Sequence, residues 1–321
     1  MTDNIIETET LEALAGSGIT EVCIALGIFD GVHAGHRHLL KRLTDMSSEM
    51  GCTPVVVTFS PHPKVIVDPE HAPVMLFSPS EKAHRLAECG VKAVVTIPFT
   101  RELSSMTAEE FLDSVIMTGR TKVKGLCVGR RFHCGRGGKG TVDILSRYAG
   151  EHGITFSWEE EYCIEGETVS SSAIRTAAGQ GDLEKVLRFL GKPLTLCGKV
   201  ESGFGIAGTK LEHPTANVIT EYGVLPPCGV YAAYTQADNA WHETALQIGK
   251  APTFLENGTV RVEAHLLDYT GNLYGKEITI RIMEKIRDEQ KFSSAEALTE
   301  QIIKDVKAIR NILKGKEIGN E

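Results

Sequence analysis

The hydrophobic pattern of this chain changes its period near residue 190, and that change constrains the fold more than any other feature. Before it, β-branched apolar runs at residues 22–26, 54–59, 93–97 and 125–129 alternate with helix-like stretches at 38–43, 80–87 and 107–112. Such alternation implies βαβ units, a parallel sheet and a ligand site at the carboxyl ends of the strands. Ser80 is expected to cap the second helix, and Thr107 with Glu110 to form a capping box on the third. After residue 191 short β-type runs dominate, at 194–200, 229–234, 244–248, 260–267 and 277–282, with Gly and Pro turns between them. That pattern reads as a small antiparallel barrel or sandwich. Residues 294–313 carry apolar side chains at Leu298, Ile302, Ile303, Val306, Ile309 and Leu313, one helical stripe expected to pack on it.

The expected architecture is therefore α/β plus β: a Rossmann-like domain over residues 1–185, then a small antiparallel β-barrel with a C-terminal helix over 186–321. The stretch 182–189 serves as a linking helix. A length of 321 residues agrees with two domains of about 150 residues each. Apolar residues at 42% and charged residues at 24% exclude a disordered or fibrous chain. The net charge of −8 provides no general basic field for nucleic acid. No apolar run reaches the ~20 residues of a membrane helix, and the N-terminus lacks the pattern of a secretory signal. Eight cysteines without a CxxC pair point to buried thiols in a reducing cytoplasm rather than to zinc or disulfides. Oligomeric state is left open.

The chemistry of the first half starts in the run Gly27-Ile28-Phe29-Asp30-Gly31-Val32-His33-Ala34-Gly35-His36, which follows the first strong strand directly. Glycines allow a ligand close to the backbone, and a loop running from strand to helix aims amide groups at an anion. Two imidazoles three residues apart can face one phosphate and donate to charge developing there. Consecutive serines at 170–172, ahead of an apolar run containing Arg175, suit a helix N-terminus that holds further phosphates.

This run resembles the (H/T)xGH signature of the nucleotidylyltransferase superfamily. Its extended form resembles that of the bacterial bifunctional riboflavin kinase/FMN adenylyltransferases. Thr58-Phe59-Ser60-Pro61-His62-Pro63 is similar to the TFxPHP of that family, and Val169 to Arg175 to its ISSTxIR. The resemblance implies that Gly27, Phe29, Asp30, Gly31, His33, Gly35 and His36 bind ATP, with His33 and His36 catalytic. It implies that Ser171, Ser172 and Arg175 hold the leaving pyrophosphate, and that Phe59, His62 and Pro63 line the flavin side. The family pattern VGxDFxFG is altered here to Val128-Gly129-Arg130-Arg131-Phe132-His133-Cys134-Gly135, with Arg131 in the acidic position.

In the second half Pro214-Thr215-Ala216-Asn217 is similar to the PTAN of riboflavin kinases. Gly229-Val230-Tyr231, Gln247-Ile248-Gly249, Glu263-Ala264-His265 and Arg287 to Phe292 resemble further motifs of that family. The resemblance implies that Glu263 is the general base, that Thr215 and Asn217 bind ATP and Mg²⁺, and that Arg287 contacts flavin. Riboflavin, FMN, FAD and ATP would be substrates or products. Glu212-His213 replaces the Gly-Phe of the family and Thr209 its Arg, adding negative charge near the expected phosphates. A bifunctional enzyme leads the readings. A monofunctional adenylyltransferase with a flavin-binding kinase remnant, and a flavin-binding regulatory protein, stay open on sequence alone.

Overall fold

The computed structural model of the protein describes residues 5–117, 119–201, 216–250 and 260–315. It divides into two compact units, Met1–Pro73 with Pro79–Ser170, and Val74–Ser78 with Ser171–Glu321.

The first unit is a six-stranded sheet ordered β1-β4-β3-β2-β5-β6. Its strands are β1 (Ile6–Thr8), β2 (Glu21–Leu26), β3 (Thr53–Ser60), β4 (Ala93–Pro98), β5 (Lys122–Gly129) and β6 (Thr155–Glu159). Every pairing is parallel. Parallel neighbours need crossovers. These carry α1 (Leu11–Leu14), α2 (Ala34–Met50), α3 (Pro63–Val67), α4 (Pro79–Glu88), α5 (Arg101–Ser105), α6 (Ala108–Ile116) and α7 (Val142–Glu151). Along β2, Val22, Ile24 and Leu26 enter one core cluster while Cys23 and Ala25 enter the other. Burial on both faces is why this strand reads as a continuous apolar run. From β2 the chain winds to β3 and β4 on one side and later to β5 and β6 on the other. The carboxyl ends of β2 and β5 therefore form the switch point, where ligands bind in such sheets.

A small hairpin, β7 (Cys163–Ile164) and β8 (Glu167–Thr168), closes the first unit. The second unit opens with α8 (Ser171–Gln180) and α9 (Leu183–Leu190). Asp182 caps α9 by accepting from the Lys185 amide at 3.0 Å, and Gly191, at φ 70°, ends it. Then come β9 (Leu194–Glu201), β10 (Ala216–Tyr222), β11 (Gly229–Ala237), β12 (Ala240–Lys250), β13 (Val260–Leu266), β14 (Glu277–Arg287) and α10 (Ala295–Leu313). The strands close into an antiparallel barrel ordered β10-β13-β12-β11-β14-β9. Leu246, Ile248, Val262, Ala264 and Ile280 are fully or almost fully buried. Their neighbours Ala245 and Trp241 meet α10 through Ile309, Leu313 and Val306.

The expected fold class holds, with differences of detail. Thr107 and Glu110 form the capping box. The helix expected from Ser80 begins at Pro79, so Ser80 lies inside its first turn; proline, which has no amide to lose, is suited to that first position. Strands β1, β6 and β10 are not marked by the apolar pattern, because runs such as Thr155–Glu159 and Ala216–Tyr222 are short or carry charged and polar residues. Ile303 is 65% exposed, so the stripe on α10 is narrower than the spacing implied. None of the eight cysteines is paired in a disulfide, and burial pushes the Cys127 and Cys134 thiols up to about 12.

The barrel wall is tight at Gly198, which stands opposite Thr220 on β10 and Ile278 on β14. A Cβ there would lie 2.8 Å from the Ile219 carbonyl carbon and 2.9 Å from the Thr220 Cα. Backbone cannot swing aside as a side chain can. Gly198→Ala is expected to destabilise the protein by about 1–3 kcal/mol, read as a lower denaturation midpoint.

Candidate active sites

The loop between β2 and α2 occupies the switch point. Gly27 donates its amide to the Val57 carbonyl at 3.1 Å. The chain then takes positive φ at Phe29 (52°), Gly31 (87°) and Val32 (39°). Two of these residues carry side chains that resist such angles, and strain of this kind persists where surrounding structure over-determines it. Here Phe29, Asp30, Val32 and His33 are all buried. His33 caps α2, its Nδ1 accepting from the His36 amide at 3.3 Å. A neutral His33 must then carry its proton on Nε2, which makes that atom a donor. The two imidazoles stack, with centroids 3.6 Å apart and planes 16° apart. A Cβ at Gly35 would lie 3.3 Å from the His33 ring, so glycine lets the ring fold over the helix start.

Lys82 on α4 is buried and reaches the same loop: its Nζ donates to Thr58 Oγ1 at 3.3 Å, and Thr58 donates to the Ile28 carbonyl at 3.0 Å. Burial lowers the Lys82 pKa, opposed by the carboxylates of Asp30 and Glu7. The His36 pKa is held well below the usual 6.5, first by burial, then by the charges of His33, Arg37 and Lys82. Its Nδ1 is buried without a hydrogen-bond partner among the described residues. Burial and the surrounding positive charge therefore disfavour the charged form of His36.

Beside this loop lies a cavity of about 550 Å³, walled by Ile28, Phe59, His62, Pro63, Phe99 and Arg131, among others. That volume falls within the range of small-molecule pockets. Phe59 meets Phe99 edge-on at 5.9 Å, and His62 caps α3 by accepting the Lys64 amide on Nδ1 at 3.1 Å. An aromatic floor with polar groups at the rim suits a flat heteroaromatic ring.

In the second unit, strand register sets Asn217 beside Glu263, Glu263 beside Gln247, Gln247 beside Val230, and Val230 beside Arg287. Side chains in one row share a face. Glu263, Gln247, Val230 and Arg287 line a cavity of about 330 Å³ closed by Phe292, Leu298 and Ile302. Arg287 is gripped by buried Asp305, with Nη2 at 2.8 Å and Nε at 3.0 Å from the same oxygen. The half-buried Glu263 carboxylate has no partner among the described residues. Thr215, with Glu212 and His213, lies outside the described residues. Ser171 and Ser172 open α8, and the Arg175 Nε donates to the Val74 carbonyl at 2.7 Å, all within this second unit.

Comparison with known proteins agrees with both halves. The FAD synthetase family model matches residues 18–173, and the riboflavin kinase model matches residues 190–313. The bifunctional riboflavin kinase/FMN adenylyltransferase of Pseudomonas fluorescens is 36% identical over 90% of this chain and 92% of its own. That of Bacillus subtilis is 33% identical over 88% and 89%. The chain belongs to the bifunctional riboflavin kinase/FMN adenylyltransferase family. A crystal structure from Streptococcus pneumoniae, described as a macrolide-efflux protein, shares the fold at a TM-score of 0.82 and 26% identity, covering 96% of this chain and 99% of that one. Among the described residues of this family member no helix is long and apolar enough to cross a membrane.

Sequence reasoning missed Lys82 and Asp305. The signal for each was a charge on an otherwise apolar helix face: Lys82 beside Ala83 and Leu86, Asp305 between Ile302 and Ile309. Burial costs a charge so much that such a position implies a partner.

Because His36 binds its proton less readily folded than unfolded, the folded state holds fewer protons below pH about 6.5, and stability falls as pH drops through that value. His36→Gln is expected to flatten this slope in denaturant titrations at pH 5 to 7. Lys82→Met removes a positive charge from its surroundings and is expected to raise the His36 pKa, followed by NMR of the imidazole.

Proposed function

We propose that the protein makes FAD from riboflavin in two ATP-dependent steps, each in its own unit. In the barrel unit riboflavin becomes FMN; in the sheet unit FMN becomes FAD with release of pyrophosphate. The observation that carries this reading is the pairing, in one chain, of a flavin-sized cavity beside the His33–His36 loop with a second cavity lined by Glu263, which has no partner among the described residues.

For the kinase step Glu263 takes the proton of the terminal ribityl hydroxyl. That oxygen attacks the γ-phosphorus of ATP, and the bond to the β-phosphate oxygen breaks to leave ADP. A carboxylate without a competing partner is free to accept that proton. Arg287, held by Asp305, presents a fixed cation beside the flavin. Asn217, next in the row to Glu263, offers an amide oxygen for Mg²⁺, and Thr215 two residues earlier would add a hydroxyl. Among the described residues no cluster of three or more His, Cys, Asp or Glu side chains gathers. So sparse a set fits Mg²⁺, which keeps waters and binds largely through substrate phosphates. Bound there, it would neutralise phosphate charge.

For the adenylyl step an oxygen of the FMN phosphate attacks the α-phosphorus of ATP and pyrophosphate leaves. The nucleophile is already anionic, so no base is required. His33 and His36, with the backbone around Gly27, Phe29, Asp30, Gly31 and Gly35, supply donors and positioning. Phe59, His62 and Pro63 hold the flavin ring. Ser171, Ser172 and Arg175, for which the family resemblance implies a hold on pyrophosphate, belong to the second unit. A cytoplasmic location fits the eight free thiols.

Fed riboflavin, ATP and Mg²⁺, the protein is expected to yield FMN and then FAD, separated by chromatography over time. Glu263→Gln is expected to lower FMN formation at least about 100-fold while sparing conversion of supplied FMN. His36→Ala is expected to do the reverse. Equal loss of both steps in either variant refutes separate sites.

A further inference from the structure

Arg131, which occupies the acidic position of the family pattern, stands at an unusual place. Its backbone is rigidly held. The Phe132 amide donates to the Gly129 carbonyl at 2.8 Å, and the Arg130 amide to the Glu159 carbonyl at 2.8 Å. Beyond it, Cys134 and Gly140 exchange backbone hydrogen bonds at 3.0 and 2.9 Å. The Arg130 guanidinium lies over the Trp158 ring at 4.8 Å, fixing the neighbouring side chain as well. On this platform the Arg131 side chain is 77% exposed, yet it forms part of the wall of the flavin-sized cavity.

The Arg131 Nη2 donates to Glu161 Oε2 at 2.7 Å. Glu161 belongs to a segment stitched to the start of α2. Glu159 pairs with His38 Nε2 at 3.0 Å, and the Tyr162 ring lies 5.3 Å from the His38 ring. The Tyr162 Cβ also lies within 3.5 Å of the space beside Gly35. Arg131 therefore lines the ring cavity together with Ile28 of the signature loop and is linked through Glu161 to the segment that packs on the start of α2.

We propose that Arg131 is the binding residue for the FMN phosphate in the adenylyl step, and that Glu161 holds it ready until FMN arrives. This rests on the reading that the sheet unit adenylylates FMN. An ion pair this exposed is weak, so giving up Glu161 costs little. A phosphate dianion offers the guanidinium a stronger, bidentate partner. The exchange makes the site select a flavin that already carries its phosphate. It binds FMN and disfavours riboflavin, which lacks the charge.

The test is steady-state adenylylation of FMN by the full-length protein, with KM for FMN, KM for ATP and kcat measured separately. Arg131→Ala is expected to raise KM for FMN about 10-fold or more. KM for ATP should stay within about twofold, and riboflavin phosphorylation, made in the other unit, serves as the check on folding. Arg131→Lys, which keeps charge but not the fork, should fall between. Glu161→Gln, which removes only a weak exposed pair, should change KM for FMN by no more than a few-fold. An unchanged KM for FMN in Arg131→Ala, or a loss confined to kcat, overturns the proposal. Should Arg131→Ala not fold, Arg131→Gln decides: a raised KM for FMN supports the proposal, and an unchanged one overturns it. If the unaltered protein makes no FAD from FMN and ATP, the functional reading itself fails, which is a different result.

Discussion

A hydrogen bond from the His36 amide to Nδ1 of His33 starts helix α2, and the nucleotide end of the molecule is arranged around it. The bond requires the His33 ring to turn back over the helix, which requires no side chain at Gly35. It also requires the loop to leave β2 through positive φ at Phe29 and Val32. Those angles are tolerated because Phe29 and Val32 are locked into the core beneath α2. One local contact thus links helix capping, loop strain, core packing and the tautomer that leaves Nε2 able to donate.

Each unit places a buried charge where an apolar face is interrupted. Lys82 beneath the loop and Asp305 beneath the barrel cavity would each be costly alone. Lys82 is offset by Thr58, Asp30 and Glu7, and Asp305 by Arg287 and Gln301. Such groups are weak evidence for stability. What they provide is position: Lys82 adds its charge to the burial that holds the His36 pKa down, and Asp305 aims Arg287 into the cavity that Glu263 shares.

The two cavities are built on different physics. In the sheet unit the site exists because parallel strands diverge at a switch point and leave a crevice at their carboxyl ends. In the barrel unit it exists because the outer face, rather than the filled interior, is left to polar residues and then covered by α10. The alternation of β13 puts Val262 and Ala264 inside and Glu263 and His265 outside, so a single-residue slip would bury the expected base.

Much of this was legible in the residues. The βαβ alternation, the change to short strands near residue 190, the glycine-rich loop with its histidines, and Glu263 all rest on local periodicity and motif spacing, which the chain carries in its own order. Lys82 and Asp305 were not legible as functional, because a charge on a helix face acquires a partner only when another element packs against it. Nor was the row from Asn217 through Glu263 to Arg287, since residues 217, 263 and 287 meet only through strand register. Sequence alone determined which elements form and which chemical groups they bear. Tertiary structure decided which of those groups share a cavity, which charges are desolvated and so shifted, and that Arg131 lines the same cavity as Ile28 of the signature loop, because each of these depends on contacts between residues far apart in the chain.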